Sequence, residues 1–166
     1  MALSSPVAHP ESMTLPQLTA LAEERRARQL AYAGELTPQE VFSYIRQHPA
    51  VVVDVRSLPE WQFTGVADTA QTQGRMLTLS WKNYPDFAPN ARFAAQLAAE
   101  VPDHATPLFF LCRSGGRSLD AAVAMTAAGY THCFNVIGGF EGDADRLGHR
   151  GLVSGWKAAQ LPWKQS

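Results

Sequence analysis

Three features of this 166-residue chain predict an α/β domain with a mostly parallel central sheet and helices on both faces. Apolar runs of strand length alternate with segments of helical periodicity. The runs Ala50 to Val53 and Pro107 to Leu111 show no polar alternation, which marks strands covered on both faces. The segments between these elements are short and polar, with glycines at their ends.

In order along the chain, the first dozen residues carry Ser and Pro without periodicity and read as a loose arm. Pro16 to Ala33 places Leu18, Leu21, Ala22, Leu30 and Ala31 around the charged run Glu23 to Arg26, and Gly34 reads as its C-terminal stop, so a helix is expected there. Thr37-Pro38-Gln39-Glu40 is a capping box with proline at the first helical position, followed by the apolar face Val41, Phe42 and Ile45. The β-branched run after Pro49 ends in Asp54-Val55-Arg56 and reads as a buried strand. Ser57 to Phe63 reads as a short helix, Thr64 to Arg75 as a loop, Met76 to Leu79 as a short strand and Asn90 to Val101 as a helix. The strand Pro107 to Leu111 runs into Cys112-Arg113-Ser114-Gly115-Gly116-Arg117-Ser118. A helix from Leu119 to Ala128 and a strand from His132 to Ile137 complete the alternation.

Composition narrows the function. The length suits one domain, and 46% hydrophobic residues with eight Phe, four Tyr and four Trp supply a core without metal or disulfide staples. Fourteen Lys plus Arg against fifteen Asp plus Glu leave a formal charge of −1, which excludes a nucleic-acid binder driven by bulk positive charge. Cys112 and Cys133 are too few for a disulfide framework and suggest a reducing compartment. The N-terminus has neither the basic start nor the apolar run of a secretory signal, and the chain holds no apolar stretch of the ~18 residues that span a bilayer. A cytoplasmic protein without a membrane partner is the expectation.

The loop from Cys112 to Ser118 carries the chemistry. It follows a strand, turns on two adjacent glycines and enters a helix N-terminus, where free amides and the helix dipole favour an anion. Those amides, with Arg113 and Arg117, favour a thiolate on Cys112, and a thiolate is a nucleophile. Ligands of parallel sheets sit at the carboxyl ends of the strands, where this loop lies.

The stretch LFFLCRSGGRS resembles the active-site loop of the rhodaneses, the thiosulfate sulfurtransferases. Asp54-Val55-Arg56, Glu60-Trp61, Ala127 to Tyr130 and Asn135 to Gly139 resemble further family motifs in the family's order, across residues 36 to 142. Residues 1–35 then form an N-terminal arm and helix, and residues 143–166 an extension folding back through Trp156, Leu161 and Trp163. In place of the family's Gly-His-Ile-Pro-Gly-Ala-like segment this chain has Gly65-Val66-Ala67-Asp68-Thr69-Ala70, and after Gly138-Gly139 it runs Phe140-Glu141-Gly142-Asp143.

The resemblance implies that Cys112 takes a sulfur from an anionic donor such as thiosulfate and passes it to cyanide or a thiol, with no cofactor and no metal. It assigns Arg113, Ser114, Gly115, Gly116, Arg117 and Ser118 to substrate binding, with Asp54 and Arg56 positioning rather than reacting. Arg117 either orients the donor or holds the loop, and Ser118 is expected mainly to cap the following helix. Phosphatases and arsenate reductases are relatives of the implied fold and an alternative reading, but the related phosphatases have one more residue between cysteine and arginine than the four present here. A non-catalytic binding module is the other alternative, opposed by the intact Cys112. A homodimer or a protein acceptor is compatible with the sequence. Cys133 reads as core, and His149 and Arg150 as solvated loop residues.

Overall fold

The computed structural model describes residues 13–27 and 29–166, so the expected N-terminal arm lies outside the described residues. A five-stranded parallel sheet organises the chain, in the order β1 (Gly34–Leu36), β8 (Cys133–Val136), β7 (Leu108–Leu111), β2 (Ala50–Asp54), β4 (Gly74–Thr78). Strand alternation divides the core in two. Val52, Phe109, Leu111, Phe134 and Val136 face α1 (Leu15–Glu24), α2 (Pro38–Ile45) and the short α6 (Gly155–Ala158). Val51, Val53, Leu108, Phe110 and Cys133 face α4 (Phe93–Glu100) and α5 (Gly116–Ala127). Both faces are therefore apolar, as the uninterrupted runs predict.

Helix starts follow the expected cues. Thr37 accepts from the Glu40 amide while Glu40 accepts from the Thr37 amide, which closes the capping box of α2. Helix α3 (Leu58–Thr64) begins with the amide and hydroxyl of Ser57 both donating to Glu60 Oε1. Two small antiparallel pairs lie outside the main sheet: β3 (Val66–Ala67) with β9 (Trp163–Lys164), and β5 (Lys82–Asn83) with β6 (Ala88–Pro89).

The expected loop Thr64 to Arg75 holds β3 and the start of β4, and the structure also corrects the first helix. The helix expected from Pro16 to Ala33 ends at Glu24, and Gly34 opens strand β1 instead of stopping a helix. Arg25 ends α1 and is held by a bidentate ion pair with Glu40 on α2, at 2.7 and 2.9 Å. The chain then turns so that Tyr32, Gly34 and Leu36 are buried against β8. Glycine is required at 34 because a Cβ there would lie 2.0 Å from the carbonyl oxygen of Ala22, and its φ is 140°. The glycine thus marks a crossing of helix and strand. The expected boundary between residues 35 and 36 falls inside β1.

In the C-terminal segment Trp156 is fully buried, edge-on to Phe42 with ring centroids 5.9 Å apart, and donates from Nε1 to the Pro162 carbonyl at 2.8 Å. Phe140 is itself the aromatic anchor after the Gly138-Gly139 turn, buried beneath the Arg56 guanidinium at 4.3 Å. Truncating a buried tryptophan costs about 3–5 kcal/mol. Trp156→Ala is therefore expected to lower the urea midpoint by a large part of the total stability, and a shift under about 1 kcal/mol would show that the segment after residue 143 does not share the core.

Candidate active site

The end of β7 delivers Cys112 to the carboxyl edge of the sheet, 2% exposed, and the following loop enters α5. Gly115 caps α5 at a φ of 121°, a conformation that side-chain-bearing residues resist. This turn aims the Gly115 amide at Cys112 Sγ, 3.1 Å away. Helix geometry leaves the following first-turn amides without intrahelical carbonyl partners, so the site has further N–H donors for an anion. From outside the loop, Phe140 N donates to the Cys112 carbonyl at 2.8 Å, and the Glu141 and Gly142 amides both donate to the Arg113 carbonyl.

The two arginines of the loop have different positions. Arg117 points to α3 and binds both oxygens of Glu60, at 2.7 and 3.0 Å, with both side chains about four-fifths buried. Of the two roles open to it, holding the loop is the one these contacts perform. Arg113 is exposed and has no carboxylate partner among the described residues, so it is the loop cation turned to solvent. Ser114 and Gly116 are also exposed.

Asp54 and Arg56 are fully buried and bind each other. The guanidinium donates to both Asp54 oxygens, to Thr64 Oγ1 and to the Gly65 carbonyl. The pair joins β2 to the C-terminal end of α3, and neither group is left over for reaction.

Ser118 differs from its expected role as a cap. Helix α5 begins at Gly116, so Ser118 lies within its first turn, where the side chain points inward. Its hydroxyl is 3.2 Å from Cys112 Sγ and donates to Asn135 Oδ1 at 2.6 Å. Asn135 in turn donates to Glu35 at 3.0 and 3.2 Å and to the Gly115 carbonyl, and Tyr32 donates to Glu35 at 2.6 Å. Sequence reasoning did not single out Asn135, Glu35 or Tyr32. The available signal was an asparagine inside an apolar strand, since a buried amide requires partners.

Cys133 is buried on β8, and burial pushes its thiol up to about 11, so it stays protonated and inert. His149 and Arg150 lie in the loop after β8, where the His149 amide binds Asp145 and Arg150 donates to the Gly142 carbonyl.

The protein is thus a parallel α/β domain with a cysteine at a strand end, cradled by a glycine turn and a helix N-terminus. Residues 37–145 match the family model of the rhodanese-like domain, and the chain belongs to that family. It is similar to an uncharacterised protein of Rickettsia rickettsii, 40% identical over 115 residues that span 69% of this chain and 83% of that one. It is also similar to the thiosulfate sulfurtransferase GlpE of Actinobacillus succinogenes, 29% identical over 77% of this chain and 87% of that one. Among solved structures, Rv0390 of M. tuberculosis superposes with a TM-score of 0.73 at 41% identity, covering 82% of this chain and all of that one. The polysulfide-sulfur transferase homodimer of Wolinella succinogenes shares the fold at 15% identity and a TM-score of 0.54, over 91% of this chain and 86% of that one. No helix among the described residues is long and apolar enough to cross a membrane.

The Glu60–Arg117 pair sets an acid dependence of stability. Burial is the largest influence on Glu60 and opposes its ionisation, yet the hydrogen bonds and charge of Arg117, aided by the Ser57 hydroxyl, outweigh it and hold the carboxyl below its ordinary 4.5. A depressed acid contributes stability above its unfolded value and loses it as the pH falls through the folded one. Glu60→Gln is expected to lower the melting temperature at neutral pH and to flatten its decline below about pH 5. An acid limb identical to the parent's would show that the pair does not hold the loop.

Proposed function

We propose that the protein is a sulfurtransferase that moves a sulfane sulfur from a small anionic donor such as thiosulfate to a thiophilic acceptor through a persulfide on Cys112. The observation that carries this reading is the donor set around one sulfur: the Gly115 amide 3.1 Å from Sγ and the free first-turn amides of α5, with Ser118 Oγ alongside at 3.2 Å. Such donors stabilise negative charge on a sulfur held there, and a thiolate so placed is a nucleophile.

In the first half-reaction the Cys112 thiolate attacks the outer sulfur of thiosulfate. A sulfur–sulfur bond forms at Sγ, the bond to the central sulfur breaks with its electron pair, and sulfite leaves. One negative charge then resides on the outer sulfur of the persulfide, next to the first-turn amides and the α5 dipole. In the second half-reaction cyanide or a thiolate attacks that sulfur and the Cys112 thiolate is the leaving group. No proton or external oxidant is needed when cyanide accepts, and thiocyanate is the product.

Arg113, exposed at the loop, attracts the dianionic donor, while Arg117 is occupied by Glu60. Cys112 is buried, 2% exposed, which suits a donor whose reactive end is one atom wide. The loop length supports sulfur over phosphate: with four residues between Cys112 and Arg117, the ring of amides is shorter than in the related phosphatases. A protein thiol as the physiological acceptor and a homodimer as the working state belong to this proposal.

Intact-protein mass spectrometry tests it. Incubation with thiosulfate should add one sulfur, about 32 Da, and cyanide should remove it as thiocyanate. Cys112→Ser should abolish both, whereas Cys133→Ser should leave both in place. Failure to load from thiosulfate, polysulfide or glutathione persulfide would overturn the reading. Turnover of p-nitrophenyl phosphate would favour a phosphatase, and a stable partner bound equally by Cys112→Ser would favour a binding module.

A further inference from the structure

Most of the large apolar side chains exposed among the described residues lie on segments that leave the carboxyl ends of β2, β4 and β8, around the Cys112 loop. Two of these segments present such side chains on fixed backbone. The first is the β5–β6 hairpin, whose root is tied to the residues at the end of β2. The Leu79 amide donates to the Asp54 carbonyl, the Trp81 amide to the Val55 carbonyl and the Ser80 hydroxyl to the Arg56 carbonyl. Trp81 packs against the apolar cluster that contains Cys112. The hairpin tip carries Tyr84 and Phe87, 59% and 50% exposed, and neither joins a core cluster. Phe87 has a φ of 56°, a left-handed conformation that a bulky residue resists and a glycine adopts freely. A phenylalanine held in this way without a core contact is placed for a contact outside the fold.

The second segment, the loop from Asp143 to Val153, leaves β8 on the other side of β7. Its base is fastened to the Cys112 loop, since the Glu141 and Gly142 amides donate to the Arg113 carbonyl and the Gly151 amide closes on the Glu141 carbonyl. Within it, Asp145 accepts from the Leu147 and His149 amides at 2.9 and 2.8 Å, which fixes the turn. Leu147 and Leu152 project from this loop, 79% and 69% exposed. Arg113 lies between the two segments and Arg146 beside Leu147; both are exposed, and neither pairs with a carboxylate among the described residues. Asp86 and Asp145, the acids nearest the two tips in sequence, accept amides of their own turns.

We propose that Tyr84 and Phe87 on one side of Cys112, and Leu147 and Leu152 on the other, form a docking ring for an acceptor protein. The reacting thiol of that protein stands at a protruding point, among apolar side chains and next to a carboxylate. Apolar exposure gathered around an arginine is the composition of protein-binding surfaces, and the two unpaired cations call for an acid on the partner. Because Cys112 is 2% exposed, the thiol must enter end-on while the surface around it meets the ring. A second copy of this chain does not fit that role, since seated here it would close both Cys112 loops at once. The fixed backbone of both segments means that little ordering is left to occur on docking.

The inference rests on the sulfurtransferase reading for what the docked thiol receives, but its binding test needs no sulfur. The probes are two labelled peptides with a central serine in place of cysteine: one flanks it with leucines and a glutamate, the other has serines for the leucines. Fluorescence anisotropy should show the leucine peptide binding about tenfold more tightly, the factor for covering a large apolar side chain that was half exposed. Phe87→Gly, which suits the local φ, and Leu147→Ser should each remove about that factor and leave the serine-flanked peptide unchanged. With the cysteine forms and sulfur-loaded protein, both variants should raise KM at constant kcat, while discharge to cyanide, too small to reach the ring, stays the same. Equal binding of the two peptides, no loss in either variant, or an equal slowing of cyanide discharge would overturn the proposal. So would a dimer in sedimentation that Phe87→Gly and Leu147→Ser dissolve, because the ring would then serve a second copy. Failure of Cys112 to load, with the binding preference and its loss in the variants intact, would instead overturn the transferase reading alone.

Discussion

The buried guanidinium of Arg56 is the contact on which the site's architecture depends. Four of its five N–H donors are engaged: two on Asp54, one on Thr64 and one on Gly65. Its flat face lies over Phe140, whose amide holds the Cys112 carbonyl. One side chain thereby fixes the end of β2, the C-terminal end of α3 and the loop after β8 against the end of β7. A buried ion pair contributes little net stability, because desolvation offsets the Coulombic gain, whereas loss of one partner leaves an uncompensated charge. What Arg56 contributes is uniqueness of arrangement: only one placement of α3 satisfies its donors.

Helix α3 passes that constraint to the Cys112 loop. Glu60 begins the helix by accepting from the Ser57 amide and ends its reach on Arg117, so the same carboxylate caps one helix and fastens the first turn of another. This determines how positive charge is distributed around the sulfur. Arg56 is neutralised by Asp54 and Arg117 by Glu60, which leaves Arg113 as the exposed cation of the loop. A near-neutral chain can attract an anion in this way, because pairing removes the interior charges and the remaining one stands at the entrance.

The parts of the fold legible in the sequence are those written in local periodicity. The Val51 to Val53 and Leu108 to Leu111 runs, the Thr37 capping box and the glycine turn after Cys112 each carry their signal within a few residues. The parts that were not legible depend on partners far along the chain. Strand β1 is three residues long, and its pairing with β8 joins positions about a hundred residues apart, so Gly34 looked like a helix stop. Ser118 looked like a cap because serine at a helix start usually is one, and its inward direction depends on Asn135, seventeen residues away. The division of labour between Arg113 and Arg117 was equally non-local, since it is decided by Glu60.

Helix α1 and strand β1 precede the family match, yet they belong to the physical unit of the site. Without β1, strand β8 would be an open edge, and Phe134 and Val136, both fully buried, would lose the α1 contacts through Leu36 and Ala22 that close their side of the core. The same strand carries Glu35, whose carboxylate orients the one buried amide within hydrogen-bonding distance of Ser118. Edge protection and orientation of Ser118, the neighbour of Cys112 Sγ, are therefore two consequences of a single three-residue pairing. A change in α1 packing at Ala22 would be felt at Gly34, through β1 at Asn135, and through Ser118 at the sulfur.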